Sequence, residues 1–247
     1  MTTTHKDLVW YASTIARAVQ DIGQRVGKEV NSALQELRGP AEFRHGVWDA
    51  VDSIAGFNRE RADSLVLYSL AKNTPGKGVA VEVGSFLGRS TAIMALGVRA
   101  AGGTGRVVAI DPHRGGTGDI DSEDPNAEAS TYPLLLHNLR RLGLLDLVDI
   151  EKTDAPEAGK NWVHGPVRLL FIDALHTYEA TMADFEAIEP HLDKDCVVVF
   201  DDYCAQEYPG VIRAADELER AGRLPKPART LNRYRVFGVQ DWSDALR

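Results

Sequence analysis

Val81-Glu82-Val83-Gly84-Ser85-Phe86-Leu87-Gly88-Arg89-Ser90-Thr91 is the stretch that decides the fold. Its first residues complete the apolar, β-branched run Val79–Val83, the composition of a buried strand. Its last residues open an apolar-periodic stretch from Ser90 to about Ala101, which reads as a helix. Between them, Gly84 permits a tight turn and close approach of the backbone to a ligand, and Gly88 lets the helix start pack closely. Phe86 stands where a dinucleotide fingerprint carries the glycine that admits a pyrophosphate, so the turn points away from dinucleotides. An ordinary strand-to-helix turn without a ligand is the alternative at this point.

Outward from this turn, short apolar runs alternate with helical patterns. Strands are expected at Arg106–Asp111, Val148–Lys152, Val167–Asp173 and Cys196–Asp201, with a terminal strand or hairpin over 229–239. Helices are expected at Pro133–Leu142, Tyr178–His191 and Val211–Ala221, preceded by helical stretches over 42–56 and from Asn58 to about Lys72. The alternation predicts an α/β fold with a mostly parallel sheet covered by helices on both faces. Ligands of such sheets sit at the C-terminal strand ends, near the switch in strand order.

The residues just after each strand therefore carry the candidate chemistry. Asp111 ends the second strand, 27 residues after Gly84, where a carboxylate can accept from ribose hydroxyls. Thr153-Asp154-Ala155 follows the third strand; Asp154 can accept from an adenine amino group, and Ala155 leaves room for the ring. Glu82, Ser85 and Ser90 of the turn, His113 after the second strand and Asp173 after the fourth complete the expected cofactor-binding set.

The motifs Val81–Thr91, Ile110-Asp111-Pro112, Phe171-Ile172-Asp173 with His176-x-Tyr178-Glu179, and Phe200-Asp201-Asp202-Tyr203 occur in that order. Together they resemble the class I S-adenosylmethionine-dependent methyltransferases over about residues 60–240. Within that class they are similar to the sugar O-methyltransferases of macrolide and aminocoumarin tailoring, and more distantly to catechol-type enzymes. The resemblance implies a Rossmann-like, seven-stranded sheet with an antiparallel last strand. It implies S-adenosyl-L-methionine as cofactor and places Asp173, Asp201 and Asp202 together at one sheet edge as metal ligands. Like charges so close need a counter-ion or a shared proton, and an all-oxygen set favours Mg²⁺ or another hard divalent cation. The alternative has Asp201 and Asp202 capping the following helix. His176 lies three residues after Asp173, the offset at which catechol-type enzymes carry a lysine base; some sugar-tailoring relatives instead have an Asp where this chain has Leu175. That departure makes His176 the expected general base, with a structural role as its alternative.

The implied reaction is metal-dependent methyl transfer to a sugar or glycan hydroxyl. A catechol or phenol acceptor, or a non-catalytic cofactor-binding module, are the alternatives. Composition bounds the partners. With 36 acidic against 28 basic residues the net charge is −8, and no Lys/Arg-rich run offers a nucleic-acid surface. No apolar run reaches the roughly 20 residues of a membrane span, and the polar Met1–Lys6 start carries no apolar signal core, so a soluble, cytoplasmic protein is expected. Cys196 reads as a buried hydrophobe. The acidic loop over 114–131, with Asp119, Asp121, Glu123 and Asp124, follows the second strand on the cofactor edge; its length is that of lids or disordered segments, and its acidity suits polyols and cations better than phosphates. Residues 5–38 read as one long amphipathic helix, ended by Gly39-Pro40. They form the core of a helical extension over 1–57, ahead of a cofactor-binding domain over 58–247, and are expected either to pack on their own domain or to serve as an arm that forms a homodimer or caps the active site.

Overall fold

A computed structural model describes residues 46–55, 61–75, 77–102, 105–114, 130–204 and 207–241. The long helix expected over 5–38 and most of the acidic loop lie outside these residues. The chain divides into two compact units, Met1–Glu42 and Phe43–Arg247, and everything described belongs to the second. Helix α1, Gly46–Asp52, is part of the domain because Val51 and the following Ile54 are fully buried in its core.

The element order is α1, α2 (Arg61–Asn73), β1 (Val79–Val83), α3 (Arg89–Ala100), β2 (Val107–Ile110), α4 (Tyr132–Arg141), β3 (Val148–Glu151), α5 (Ala155–Lys160), β4 (Val167–Ile172), α6 (Tyr178–Ile188), β5 (Leu192–Phe200), α7 (Pro209–Arg220), β6 (Ala228–Leu231) and β7 (Tyr234–Phe237). The strands form one seven-stranded sheet in the order β3-β2-β1-β4-β5-β7-β6. Strands β1 to β5 pair in parallel, and β7 runs antiparallel to both its neighbours. This is the Rossmann-like sheet that the resemblance implies.

Helix α5 was not among the expected elements. Its signal is local: Asp154 caps it by accepting from the Glu157 amide at 3.0 Å, with a proline in its first turn. Helix α6 begins in the same way, the Thr177 hydroxyl accepting from the Ala180 amide.

Side chains alternate across the sheet, as the two-residue period of a strand requires. Ala80, Ala109, Leu169, Phe171 and Val199 face the layer containing α1 to α4. Val81, Val108, Leu170, Ile172 and Val198 face the layer containing α5 to α7. Both layers are closely packed, so the central parallel strands are largely apolar on each face. Cys196 is 3% exposed in the second layer, and burial pushes its thiol up to about 12, consistent with a packing role.

Register positions the site. Val83 aligns with Ile110 on one side and with Ile172 on the other, and Ile172 aligns with Phe200. The next residues, Gly84, Asp111, Asp173 and Asp201, therefore emerge level at the C-terminal edge. Their amides continue the ladder, to Ile110, Glu151, Val83 and Ile172 carbonyls respectively. Chain order reverses between β1 and β4, the place where open α/β sheets hold ligands. Among the described residues, no helix is long and apolar enough to cross a membrane.

Candidate active site

A cavity of about 610 Å³ opens at this edge, lined by the Gly84–Leu87 turn, Asp111, Asp154 and Ala155, and by Asp173, His176, Asp201 and Asp202. Its two ends are built differently.

At the first end, the turn after β1 is held by its backbone. Gly84 has φ +94°, and a β-carbon there would lie 2.0 Å from the Asp173 carbonyl oxygen. Only glycine lets the ends of β1 and β4 meet this closely. Phe86 keeps the left-handed conformation of the glycine it replaces, with φ +43°. Its amide donates to Asp111 Oδ2 at 2.7 Å, and the His113 amide donates to Asp111 Oδ1 at 2.6 Å. Asp111 thus clamps the turn while still lining the cavity, and a carboxylate has lone pairs left for ribose hydroxyls. Ser85 is 2% exposed and lines the cavity, and its hydroxyl has no hydrogen-bond partner among the described residues. A buried hydroxyl without a partner, beside a glycine with no room for a side chain, suits a polar ligand such as a nucleoside.

Ser90, Asp154, Ala155 and Asp173 also line the cavity, as expected of cofactor-binding residues. Glu82, Gly88 and His113 do not. Glu82 lies inside β1, fully buried, and accepts from the Thr91 hydroxyl, tying the strand to α3. Burial pushes its carboxyl up to about 8. Gly88, at φ +87°, is the N-cap of α3 and packs on Leu135. His113 is buried with φ +51°; its Nδ1 is 2.8 Å from the Thr131 hydroxyl, and its ring lies on Tyr132. Burial moves its pKa down, against the pull of Asp111. Glu82 instead points into the helix layer, where it meets Thr91 of α3.

At the second end, side chains from three elements meet. Asp173 follows β4, Asp201 and Asp202 follow β5, and Arg233 stands in the turn between β6 and β7. Asp201 and Asp202 are 2% and 4% exposed. Burial first, and then the charge of Asp173, hold the Asp201 carboxyl well above the usual carboxylate range. Asp202 has φ +54°, and its amide donates to Asp201 Oδ1 at 2.8 Å. The four described non-glycine residues with positive φ are Phe86, His113, Asp202 and Asn232. All four adjoin this sheet edge, the strained backbone expected where binding residues are held.

Arg233 is the residue that the sequence reading missed. Its Nε lies 3.1 Å from Asp201 Oδ1, and its Nη2 pairs with Asp202 Oδ1. His176 Nε2 lies 3.1 Å from Asp202 Oδ2 and 3.7 Å from Asp173 Oδ1, with its ring 4.3 Å from that of Tyr208. The three expected ligands are therefore together, but their oxygens face a guanidinium and an imidazole. Among the described residues, no three His, Cys, Asp or Glu side chains are gathered as a metal site. The donor chemistry still suits a hard cation: oxygen only, buried, and mutually repelling. A cation there competes with Arg233. A short hairpin with Asn232 at φ +49° was the only local signal for Arg233, since its partners lie about 30 residues earlier in the chain.

Tyr208 and Tyr234 line the cavity. Tyr178 and Tyr203 are instead bonded to Glu217 and Asp216.

The comparisons with known proteins agree with this geometry. Residues 81–203 match a family model described as a methyltransferase domain. Among solved structures, the chain is similar to an O-methyltransferase from Bacillus cereus in complex with SAH, with 19% identity, 86% of this chain and 91% of that one covered, and a TM-score of 0.56. It is also similar to CalS11, described as a TDP-rhamnose 3′-O-methyltransferase of calicheamicin biosynthesis (19% identity, 88% and 94% covered, TM-score 0.53). A third is cofactor-bound Rv0187 from MTB (21% identity, 81% and 90% covered, TM-score 0.56). The sheet order, the glycine turn and the family match together define a Rossmann-like methyltransferase fold. Residues 81–203 form a methyltransferase domain, and the chain has the fold of the class I methyltransferases.

Proposed function

We propose that this methyltransferase transfers the methyl group of S-adenosyl-L-methionine to a hydroxyl oxygen of a sugar or glycan. The observation that carries the reading is the His176–Asp202 pair at 3.1 Å, on the same cavity edge as the Gly84 turn. A base, an acidic cluster and a nucleoside-sized turn then share one space. The description of CalS11 as acting on TDP-rhamnose supports a sugar acceptor.

In this reading Asp111 and Ser85 hold the ribose side of the cofactor, and Gly84 lets the chain pass close beneath it. The acceptor oxygen forms a bond to the methyl carbon as the carbon–sulfur bond breaks, and the sulfur leaves as a neutral thioether. With Asp202 Oδ2 3.1 Å from Nε2, a proton held on that nitrogen would leave His176 Nδ1 to take the acceptor's proton. Tyr208 keeps the ring in place. Much of the rate comes from positioning the two reactants in line. A divalent cation, held by Asp173, Asp201 and Asp202, would lower the acidity barrier of the sugar hydroxyl. The proposal includes a homodimer through residues 5–38, which light scattering of the full chain tests.

The test is methyl transfer to a panel of nucleotide sugars, oligosaccharides and catechols, with and without Mg²⁺ and EDTA. Turnover on a sugar, reduced about 10²- to 10⁴-fold in His176→Ala, is expected. Unchanged turnover in that variant removes the base assignment. Cofactor binding without turnover on any acceptor replaces the reading with that of a binding module.

A further inference from the structure

Asp184 is a carboxyl that the reaction above does not use. It is 8% exposed and lines the cavity. No hydrogen bond or ion pair reaches it among the described residues. Its oxygens are not among the fully buried atoms left without a partner, so the little surface it keeps opens on the cavity, where a ligand can meet it.

Its place in the fold says which part of a ligand it meets. Ala180, Asp184 and Ala187 lie on one face of α6, at spacings of four and three. Ala180 lines the cavity one turn before Asp184. Ala187, one turn after it, packs so tightly on α5 that a β-carbon at Gly159 would lie 2.2 Å from its carbonyl oxygen. Asp184 thus sits between the open cavity and the α5 contact, on the side of Asp154 and Ala155. That side lies beyond Asp111, away from His176.

We propose that Asp184 and Asp154 together read the hydrogen-bonding edge of the cofactor's adenine, Asp154 accepting from the exocyclic amino group and Asp184 donating to an adjacent ring nitrogen. The inference rests on the cofactor reading above. The chemistry is complementary. Asp154 already spends Oδ1 on the Glu157 amide, which leaves its other oxygen as an acceptor for an amino N–H. The ring nitrogens flanking that amino group are acceptors and need a donor. Burial, with the charge of Asp154 adding to it, pushes the Asp184 carboxyl up to about 7, so at pH 6.5 it largely retains the proton it donates. Two ionised carboxylates would offer acceptors only.

The experiment is calorimetric titration at pH 6.5 of the full chain and two variants with S-adenosylhomocysteine and its 1-deaza and 7-deaza analogues. Asp184→Asn keeps a donor and is expected to bind S-adenosylhomocysteine within about threefold of the wild type. Asp184→Ala is expected to bind about tenfold more weakly, the scale of one hydrogen bond to a buried group. One of the two deaza analogues should lose a similar factor against the wild type but nothing further against Asp184→Ala. Circular dichroism checks that each variant is folded; if Asp184→Ala is not, the Asn variant and the analogue series decide alone. Equal binding of all three ligands to the wild type overturns the assignment and leaves the cofactor reading standing. A wild type that binds none of them removes both.

Discussion

The two ends of the cavity share one sheet edge but are held by different physics. The turn after β1 is fixed by backbone: a left-handed glycine, two amides on Asp111, and a ladder that continues from β2 and β4. The acidic end is fixed by charge: three carboxylates, an imidazole and one guanidinium drawn from distant parts of the chain. Backbone geometry tolerates almost no substitution but is insensitive to ions. A charge cluster tolerates substitution of a member if another cation takes its place. In the proposed reaction, the contrast separates the work of holding the cofactor from that of activating an acceptor.

The largest effect should come from the backbone end. Gly84→Ala puts a β-carbon 2.0 Å from the Asp173 carbonyl oxygen at a φ of +94°. Expected is a destabilisation of about 3 kcal/mol or more with loss of cofactor binding, read by chemical denaturation and calorimetry. No ion should rescue it. A variant of near wild-type stability would show that the end of β4 yields, and the contrast with the acidic end would fail.

At the acidic end, Arg233→Met removes the cation from two buried carboxylates. The expected cost is about 3 kcal/mol in the presence of EDTA, because an unpaired buried charge remains. Millimolar Mn²⁺ should restore much of the lost thermal stability, and the variant should bind Mn²⁺ more tightly than the wild type in an electron paramagnetic resonance titration. If Mn²⁺ leaves the melting temperature of both proteins unmoved, Arg233 and a divalent cation do not share these oxygens.

A pH-dependent effect sharpens the description of the backbone end. Glu82 holds its proton up to about pH 8 when folded, against an ordinary value near 4.5. Its folded-state pKa is raised, so the associated stability is fully present below about pH 4.5 and is lost as pH rises towards 8. Glu82→Gln keeps the size and the acceptor for Thr91 without titrating. Its stability should exceed that of the wild type by a margin that grows between pH 5 and 8, by at most about 1.4 kcal/mol per pH unit. A margin independent of pH would place the ionisation elsewhere.

These differences also mark what could be read without coordinates. The turn was legible because its determinants are neighbours in the chain: a β-branched run, two glycines, then a helical period. Asp111, Asp173, Asp201 and His176 were legible because each follows a strand end, and parallel strands bring their ends level. Glu82 and His113 were assigned to the cofactor from the same neighbourhood, yet they point into the packing, since side-chain direction depends on the strand's phase relative to the sheet. Helix α5 carried an ordinary capping signal at Asp154 that was read as a ligand contact alone, and the same residue does cap the helix while lining the cavity.

The amino-acid sequence by itself determined the class of fold, the cofactor turn and the acidic set, because strand and helix periods and the residues at strand ends are local properties. Only the tertiary structure decided that Arg233 meets Asp201 and Asp202, that Asp184 faces the cavity, and that α1 belongs to the domain. Each of these depends on contacts between elements far apart in the chain, and burial, which sets the cost of a charge or an unpaired polar group, exists only once those elements have packed.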